Sequence, residues 1–187
     1  MKNNNLYKLA IIFILNLFYF NTIFAEDFNF NVTEIEILNK GNLYKGLKRG
    51  TIQTDDGIII EASTFTYNKI TNIVDAEGDV KVEDTINNYV LFSDTAKYKR
   101  NEEIVIAEGN SKGIDDKNRT ITSDKLTYNK ITNIVDAEGN VKVEDTINNY
   151  VLFSDTAKYK RNEEIVITKG NSKGIDNKNR TITSDKL

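Results

Sequence analysis

The sequence predicts an all-β fold, a stack of bent antiparallel strands built from modules of 30 to 31 residues and enclosing a continuous apolar trough. Three observations carry this. First, the stretches 66–126 and 127–187 are each 61 residues long and differ only at Asp79/Asn140, Ala107/Thr168, Glu108/Lys169 and Asp116/Asn177. Inside them Tyr67, Tyr98, Tyr128 and Tyr159 each stand eleven residues before a glycine, Gly78, Gly109, Gly139 and Gly170. Periods of this size mark stacked units that bury an apolar face only against their neighbours. Second, Val74, Ala76, Gly78, Val80 and Val82 alternate with Asp75, Glu77, Asp79, Lys81 and Glu83. That is the period of two of a half-buried strand. Third, the parity of the alternation changes mid-strand, at Ala62-Ser63, Ser93-Asp94 and Ser123-Asp124. A parity change inside a strand predicts a bulge or a sharp bend.

The elements follow in order. In 1–25, Lys2 and Lys8 lead into an apolar run at 9–20, and Ala25 precedes Glu26 and Asp27. This is the layout of a secretory signal peptide cleaved after Ala25. The run falls short of the roughly 20 residues a membrane anchor needs. Residues 26–50 read as an N-terminal capping strand, alternating over 32–38, followed by a lysine-rich connection. Residues 51–187 read as the repeats, with 66–126 and 127–187 as tandem units. Turn-like clusters separate the strands at 55–57, 68–72, 85–88, 100–102 and 116–119. Steps of about fifteen residues from strand to strand imply hairpins and antiparallel pairing. Leu187 closes a repeat unit yet interrupts a module, which reads as a truncated chain.

Composition narrows the chemistry. There is no Cys, so disulfides, thiolate nucleophiles, cysteine zinc sites and a lipid-bearing cysteine are excluded. There is no His, the commonest general base and metal ligand. A net charge of −3 gives no electrostatic reason for a nucleic-acid partner. Cleavage after Ala25 leaves 23 basic and 28 acidic residues, a net charge of −5. No carboxylate pair stands out as catalytic, so the chain does not read as an enzyme. Asp75, Glu77 and Asp79 alternate along a strand and do not converge into a calcium cage. Asn31-Val32-Thr33 and Asn118-Arg119-Thr120 match the glycosylation sequon, which means little in so Asn-rich a chain. The four tyrosines read as structural residues at the strand bend. Lys97, Lys99, Arg100, Lys158, Lys160 and Arg161 read as solvated turn residues.

The run Ile121-Thr-Ser-Asp-Lys-Leu-Thr-Tyr-Asn-Lys-Ile-Thr-Asn-Ile-Val-Asp-Ala-Glu-Gly-Asn-Val-Lys-Val143 resembles the OstA-like family. That family includes the periplasmic lipopolysaccharide-transport protein LptA and the N-terminal domain of LptD. Its pattern recurs around Tyr67, Tyr98, Tyr128 and Tyr159, and the resemblance runs from about Gly57 to the C-terminus. It implies a β-jellyroll of V-shaped strands with a hydrophobic interior. Such domains stack end to end into a periplasmic bridge along which lipopolysaccharide acyl chains travel. It also implies no catalysis, no metal and no cofactor.

On this reading Val74, Ala76, Val80, Val82, Leu91, Phe92, Val105, Ile121, Leu126, Val135, Ala137, Val141 and Val143 line the trough. They serve either as core alone or as contacts for lipid tails. The small residues Ala76, Gly78, Ala107, Gly109, Ser93 and Ser123 favour space for a guest, because a tight core takes larger side chains. Acyl burial at about 0.8 kcal/mol per methylene would then supply affinity. The expected partners are lipopolysaccharide or a related glycolipid, homologous jellyroll transport components, and a second copy joined head to tail through unpaired strand edges. The leading expectation is a periplasmic lipopolysaccharide-transport protein bridging inner and outer membranes. The alternatives are a truncated periplasmic domain of an LptD-like outer-membrane assembly protein, which would sit at the outer membrane, and a repetitive adhesin-like exported protein.

Overall fold

The computed structural model describes residues 28–187, so the expected signal peptide at 1–25 lies outside the described residues. The chain forms β1 (Phe28–Val32), β2 (Ile35–Leu38), β3 (Leu43–Gly46), β4 (Gly50–Thr54), β5 (Ile58–Ala62), β6 (Thr64–Asn68) and β7 (Ile73–Asp84). There follow β8 (Tyr89–Lys99), β9 (Ile104–Asp115), β10 (Thr120–Asn129), β11 (Ile134–Asp145), β12 (Tyr150–Lys160), β13 (Ile165–Asp176) and β14 (Thr181–Lys186). All belong to one sheet, ordered β1-β4-β5-β7 and then sequentially to β14, with β2, β3 and β6 continuing beside β7. From β7 onward every neighbour is the next strand in sequence, paired antiparallel. This is the hairpin ladder that the alternation and turn spacing imply.

The turns have a shared chemistry. Asp84, Asp115, Asp145 and Asp176 close their strands, and each accepts two backbone N–H groups from the following turn. Asn88, Asn118, Asn149 and Asn179 end those turns at positive φ, a conformation asparagine tolerates better than most residues.

The bend is a clamped bulge. Register slips by one residue at the middle of every long strand pair, between Glu77 and Val80 on β7 and between Phe92 and Thr95 on β8. At the slip Gly109 sits at φ +78°, and a Cβ there would run into the Asp94 carboxylate. Asn110, also at positive φ, donates its side-chain amide to that carboxylate at 2.9 Å. Asn140 with Asp124 and Asn171 with Asp155 repeat the clamp at the same distance. Ser93, Ser123 and Ser154 hold the other side by donating to carbonyls two residues on. The recurring Ser-Asp and Gly-Asn pairs are therefore crease hardware. The crease splits the sheet into two arms, one carrying the tyrosines and the other the turn-closing aspartates.

The N-terminal region differs from the expected single capping strand and connection: it holds β1, β2, a 3-10 turn (Asn39–Gly41), β3 and the start of β4. Its pairings repeat those of the later units shifted by 61 residues. Phe28 opposes Thr54 as Tyr89 opposes Asp115; Ile37 opposes Tyr44 as Tyr98 opposes Val105; Ile52 opposes Ile60 as Gly113 opposes Ile121. The segment from Phe28 is thus a diverged copy of the same unit. Its V-shaped strands are broken at the crease into the pairs β1/β2, β3/β4 and β5/β6.

Candidate functional site

The interior between the arms is graded by distance from the crease. On the tyrosine arm Ala76, Ala96 and Ala107 lie opposite one another in the row next to the crease. Val74, Tyr98 and Val105 form the next row out. Two sheets meeting at a fold leave least room near it, so alanine fits there and tyrosine fits further out. The small residues thus match the narrow part of the wedge. Gly78 and Gly109 belong to the bulge itself.

Twelve of the thirteen residues expected in the trough are buried together here: Val74, Ala76, Val80, Val82, Leu91, Val105, Ile121, Leu126, Val135, Ala137, Val141 and Val143 are each at most 3% exposed. Phe92 is the correction. It is 38% exposed, because its neighbour Leu91 takes the inward parity on β8 and turns Phe92 outward. The interior is filled along its middle, where a pocket enclosed by Tyr89, Arg119, Thr120, Ile121, Val143, Tyr159 and Val166 has a volume of only ≈10 Å³, and it opens at the β14 end, where Leu152, Gly174 and Ile182 line a hollow of ≈260 Å³.

Where the arm tips meet, opposite the crease, a polar seam closes the interior. Tyr98 donates to Asp56 at 3.0 Å, Tyr128 to Asp84 at 2.8 Å and Tyr159 to Asp115 at 2.7 Å. Each bond crosses from the tyrosine arm to the aspartate arm. The tyrosines therefore stand near the strand ends and tie the arms together, which corrects their expected place at the bend. Lys130 bridges Asp56 and Glu103 at 3.2 Å each, Arg100 pairs with Asp55, and Glu164 pairs with Lys117 and Arg119. A polar hollow of ≈470 Å³ opens beside Asp55, Asp56, Arg100, Asn101 and Glu103.

The basic residues also need correction. Lys97 and Lys158 form exposed ion pairs with Asp75 and Asp136, and the half-buried Lys99 and Lys160 pair with Glu102 and Glu163. Arg100 and Arg161 are buried, at 5% and 8% exposure. Their guanidinium groups stack on rings: Arg100 lies 4.7 Å from the Phe28 centroid and Arg161 4.5 Å from that of Tyr89. Arg119 stacks likewise over Tyr159, at 5.1 Å.

The seam is held in one protonation state near neutral pH. Burial opposes ionisation of Asp56, but hydrogen bonds from Thr54, Lys130 and Tyr98 outweigh it and hold the carboxyl below its ordinary range. For Asp115 burial is likewise overcome by bonds from Tyr159 and Arg119. Burial first, and then the carboxylate partners, push Tyr98, Tyr128 and Tyr159 far above the usual phenol value. Asp84, Asp115, Arg119, Tyr128 and Tyr159 were not singled out as a site by sequence reasoning. The available signal was an aspartate at the end of a strand or in the turn after it, 42 to 44 residues ahead of a tyrosine.

A creased antiparallel sheet with a filled apolar interior, sealed along one side by polar side chains, defines a jellyroll-type protein of repeated V-shaped strands. The chain belongs to the OstA-like protein family, which it matches over residues 28–185. Among solved structures it is similar to LptH from Pseudomonas aeruginosa, described as the LptA-homologous periplasmic component of the conserved lipopolysaccharide transport device. The TM-score is 0.55 at 17% identity, over 60% of this chain and 82% of that one. That identity carries the fold. A search of curated proteins found no match. No helix among the described residues is long and apolar enough to cross a membrane.

Proposed function

We propose that this protein is a periplasmic lipopolysaccharide-transport component that receives acyl chains between its arms, through the seam, and passes them along the sheet. The observation that supports this best is the unequal closure of the interior. On one side the arms are continuous backbone through the crease, and on the other they meet only through side-chain contacts. An acyl chain entering there exchanges arm-to-arm apolar contact for arm-to-lipid contact, so its burial offsets the cost of parting the arms. Membership of the OstA-like family and the likeness to LptH agree with this reading. The seam charges tie the arms together and are given no catalytic role.

A second part of the proposal concerns assembly. Among the described residues, inward-parity residues of β2 and β14 meet no facing arm: Ile35 and Ile37 on β2 are 41% and 58% exposed, and Ile182 on β14 is 59% exposed. β2 belongs to the tyrosine arm, whereas Ile182 belongs to the aspartate arm beside Gly174 and Leu152. The uncovered faces are therefore of opposite arms, which suits a second copy or a homologous jellyroll placed head to tail.

The test is photocrosslinking in cells. A crosslinker at Val80 faces the interior, and one at Phe92 faces outward on the neighbouring strand. Capture of lipopolysaccharide at Val80 and not at Phe92 is expected. Equal capture, or none at Val80, overturns the proposal.

A further inference from the structure

We infer that Arg161 and Tyr89 form an oxyanion subsite in the seam, suited to a phosphate group. It deepens the lipid reading above, and depends on it only for the source of the phosphate. The Arg161 guanidinium bonds three neutral oxygens: the Asn133 side chain and the carbonyls of Asn87 and Asn88, the latter two at 2.9 and 3.2 Å. Among the described residues no carboxylate pairs with it. The other seam arginines differ in this respect, since Arg100 pairs with Asp55, and Arg119 with Asp115 and Glu164. Asp116, 61 residues beyond Asp55, is exposed and in no ion pair among the described residues. The later unit thus keeps the buried arginine without its acid, and a buried cation needs a counter-charge.

Two buried donors of this stacked pair lack acceptors, and one of them, the Tyr89 hydroxyl, lies against Gly113. The Nε of Arg161 is buried without an acceptor, and so is the hydroxyl of Tyr89, whose ring Arg161 covers. Tyr89 is only 2% exposed. Orphaned buried donors are rare, and each marks either a cost or a missing ligand. An oxyanion satisfies the charge and both donors together. Phosphate suits them well, because the guanidinium fork matches its oxygens and a phenol adds a third bond. Tyr89 also borders the ≈10 Å³ pocket, which lies against Arg119 and Tyr159 at the seam. To admit the whole group, the 85–88 turn must swing off Arg161 and give up the two carbonyl bonds, a motion that also parts the arms.

The experiment uses the full chain and two probes, a phosphorylated acylated glycolipid and its dephosphorylated counterpart. Binding of each is measured by calorimetry, with inorganic phosphate followed separately by ³¹P NMR. The variants are Arg161→Gln, Tyr89→Phe and the exposed control Lys173→Gln, which removes an equal charge. Expected is about tenfold tighter binding of the phosphorylated lipid, lost in R161Q and kept in K173Q. If only inorganic phosphate binds, and does so through Arg161, the subsite stands and the lipid reading falls. Equal binding of both lipids, with R161Q unchanged, overturns the subsite and leaves the lipid reading intact. No binding of any probe to folded protein overturns both. Should R161Q fail to fold, Y89F decides. Losing the orphan hydroxyl raises the melting temperature of the free protein while weakening the phosphorylated lipid about two- to fivefold. Unchanged lipid binding in Y89F overturns the assignment.

Discussion

Replacing Tyr128 with Phe removes one seam tie and little else. The ring is 1% exposed and keeps its place beside Tyr89, 4.9 Å between centroids. What is lost is the 2.8 Å bond to Asp84, a carboxylate itself only 1% exposed, and a long 3.5 Å contact with Asn133 Oδ1. Asp84 retains its bonds from Ile86, from Asn87 and from the Asn87 side chain, so it stays anchored to its own arm. A hydrogen bond to a charged group contributes about 1.5–3 kcal/mol, which places the expected loss near 2 kcal/mol. Urea denaturation should show this as a lower midpoint with an unchanged slope, since the buried surface is the same. A double-mutant cycle with Asp84→Asn isolates the cross-seam part, and a coupling of about 1 kcal/mol or more is expected. A loss below about 0.5 kcal/mol with no coupling would refute the reasoning, because the tyrosine would then be core alone and the seam would not be held by these bonds.

The other predictions test the crease, the facing and the titration. Gly109→Ala forces a Cβ into a left-handed position against Asp94 and should cost about 1–3 kcal/mol, whereas Gly41→Ala, with φ +88° but nothing within 4 Å, should cost less. Leu91→Ala should cost about 2–5 kcal/mol by leaving a cavity, against under about 1 kcal/mol for the outward Phe92→Ala; equal losses in urea melts would reverse the assigned parity. For pH, the folded carboxyls of Asp56 and Asp115 lie below their unfolded values. Their contribution is present above the unfolded value of about 3.9 and lost as pH falls through the folded value. The buried phenols are raised, so theirs is present below about pH 10 and lost above it. With no histidine, stability should be flat from about pH 5 to 8; a transition inside that window in a thermal-melt series contradicts the assignment.

Much of this fold is local in the sequence. Alternation at Val74–Val82 is a property of adjacent residues, and so is the change of parity at Ser93-Asp94, which the structure meets with a bulge. The asparagines and aspartates of the turns act within four residues. What escaped is what depends on folding the sheet onto itself. No local pattern pairs Tyr128 with Asp84, 44 residues away on the other arm, or stacks Arg161 on Tyr89. Arg161 reads as a turn cation until the facing turn covers it. Phe92 misled because Leu91 and Phe92 are adjacent and both apolar, and only the register to Gly113 and Lys112 shows which points inward. The N-terminal unit was hidden because its β1 phenylalanines and its broken strands keep the 61-residue register while losing the motif residues of the crease.

Passage of lipid through the seam is the central step of the proposed function. The chain has no cysteine, so Lys117→Cys with Glu164→Cys places a single pair across it, where the two native side chains meet. The decisive measurement is lipopolysaccharide capture by a crosslinker at Val80, with that pair either joined by a short bismaleimide or separately alkylated. Joining the arms is expected to abolish capture while separate alkylation preserves it. Equal capture with the seam locked would contradict it, and would mean that lipid reaches the interior by another path.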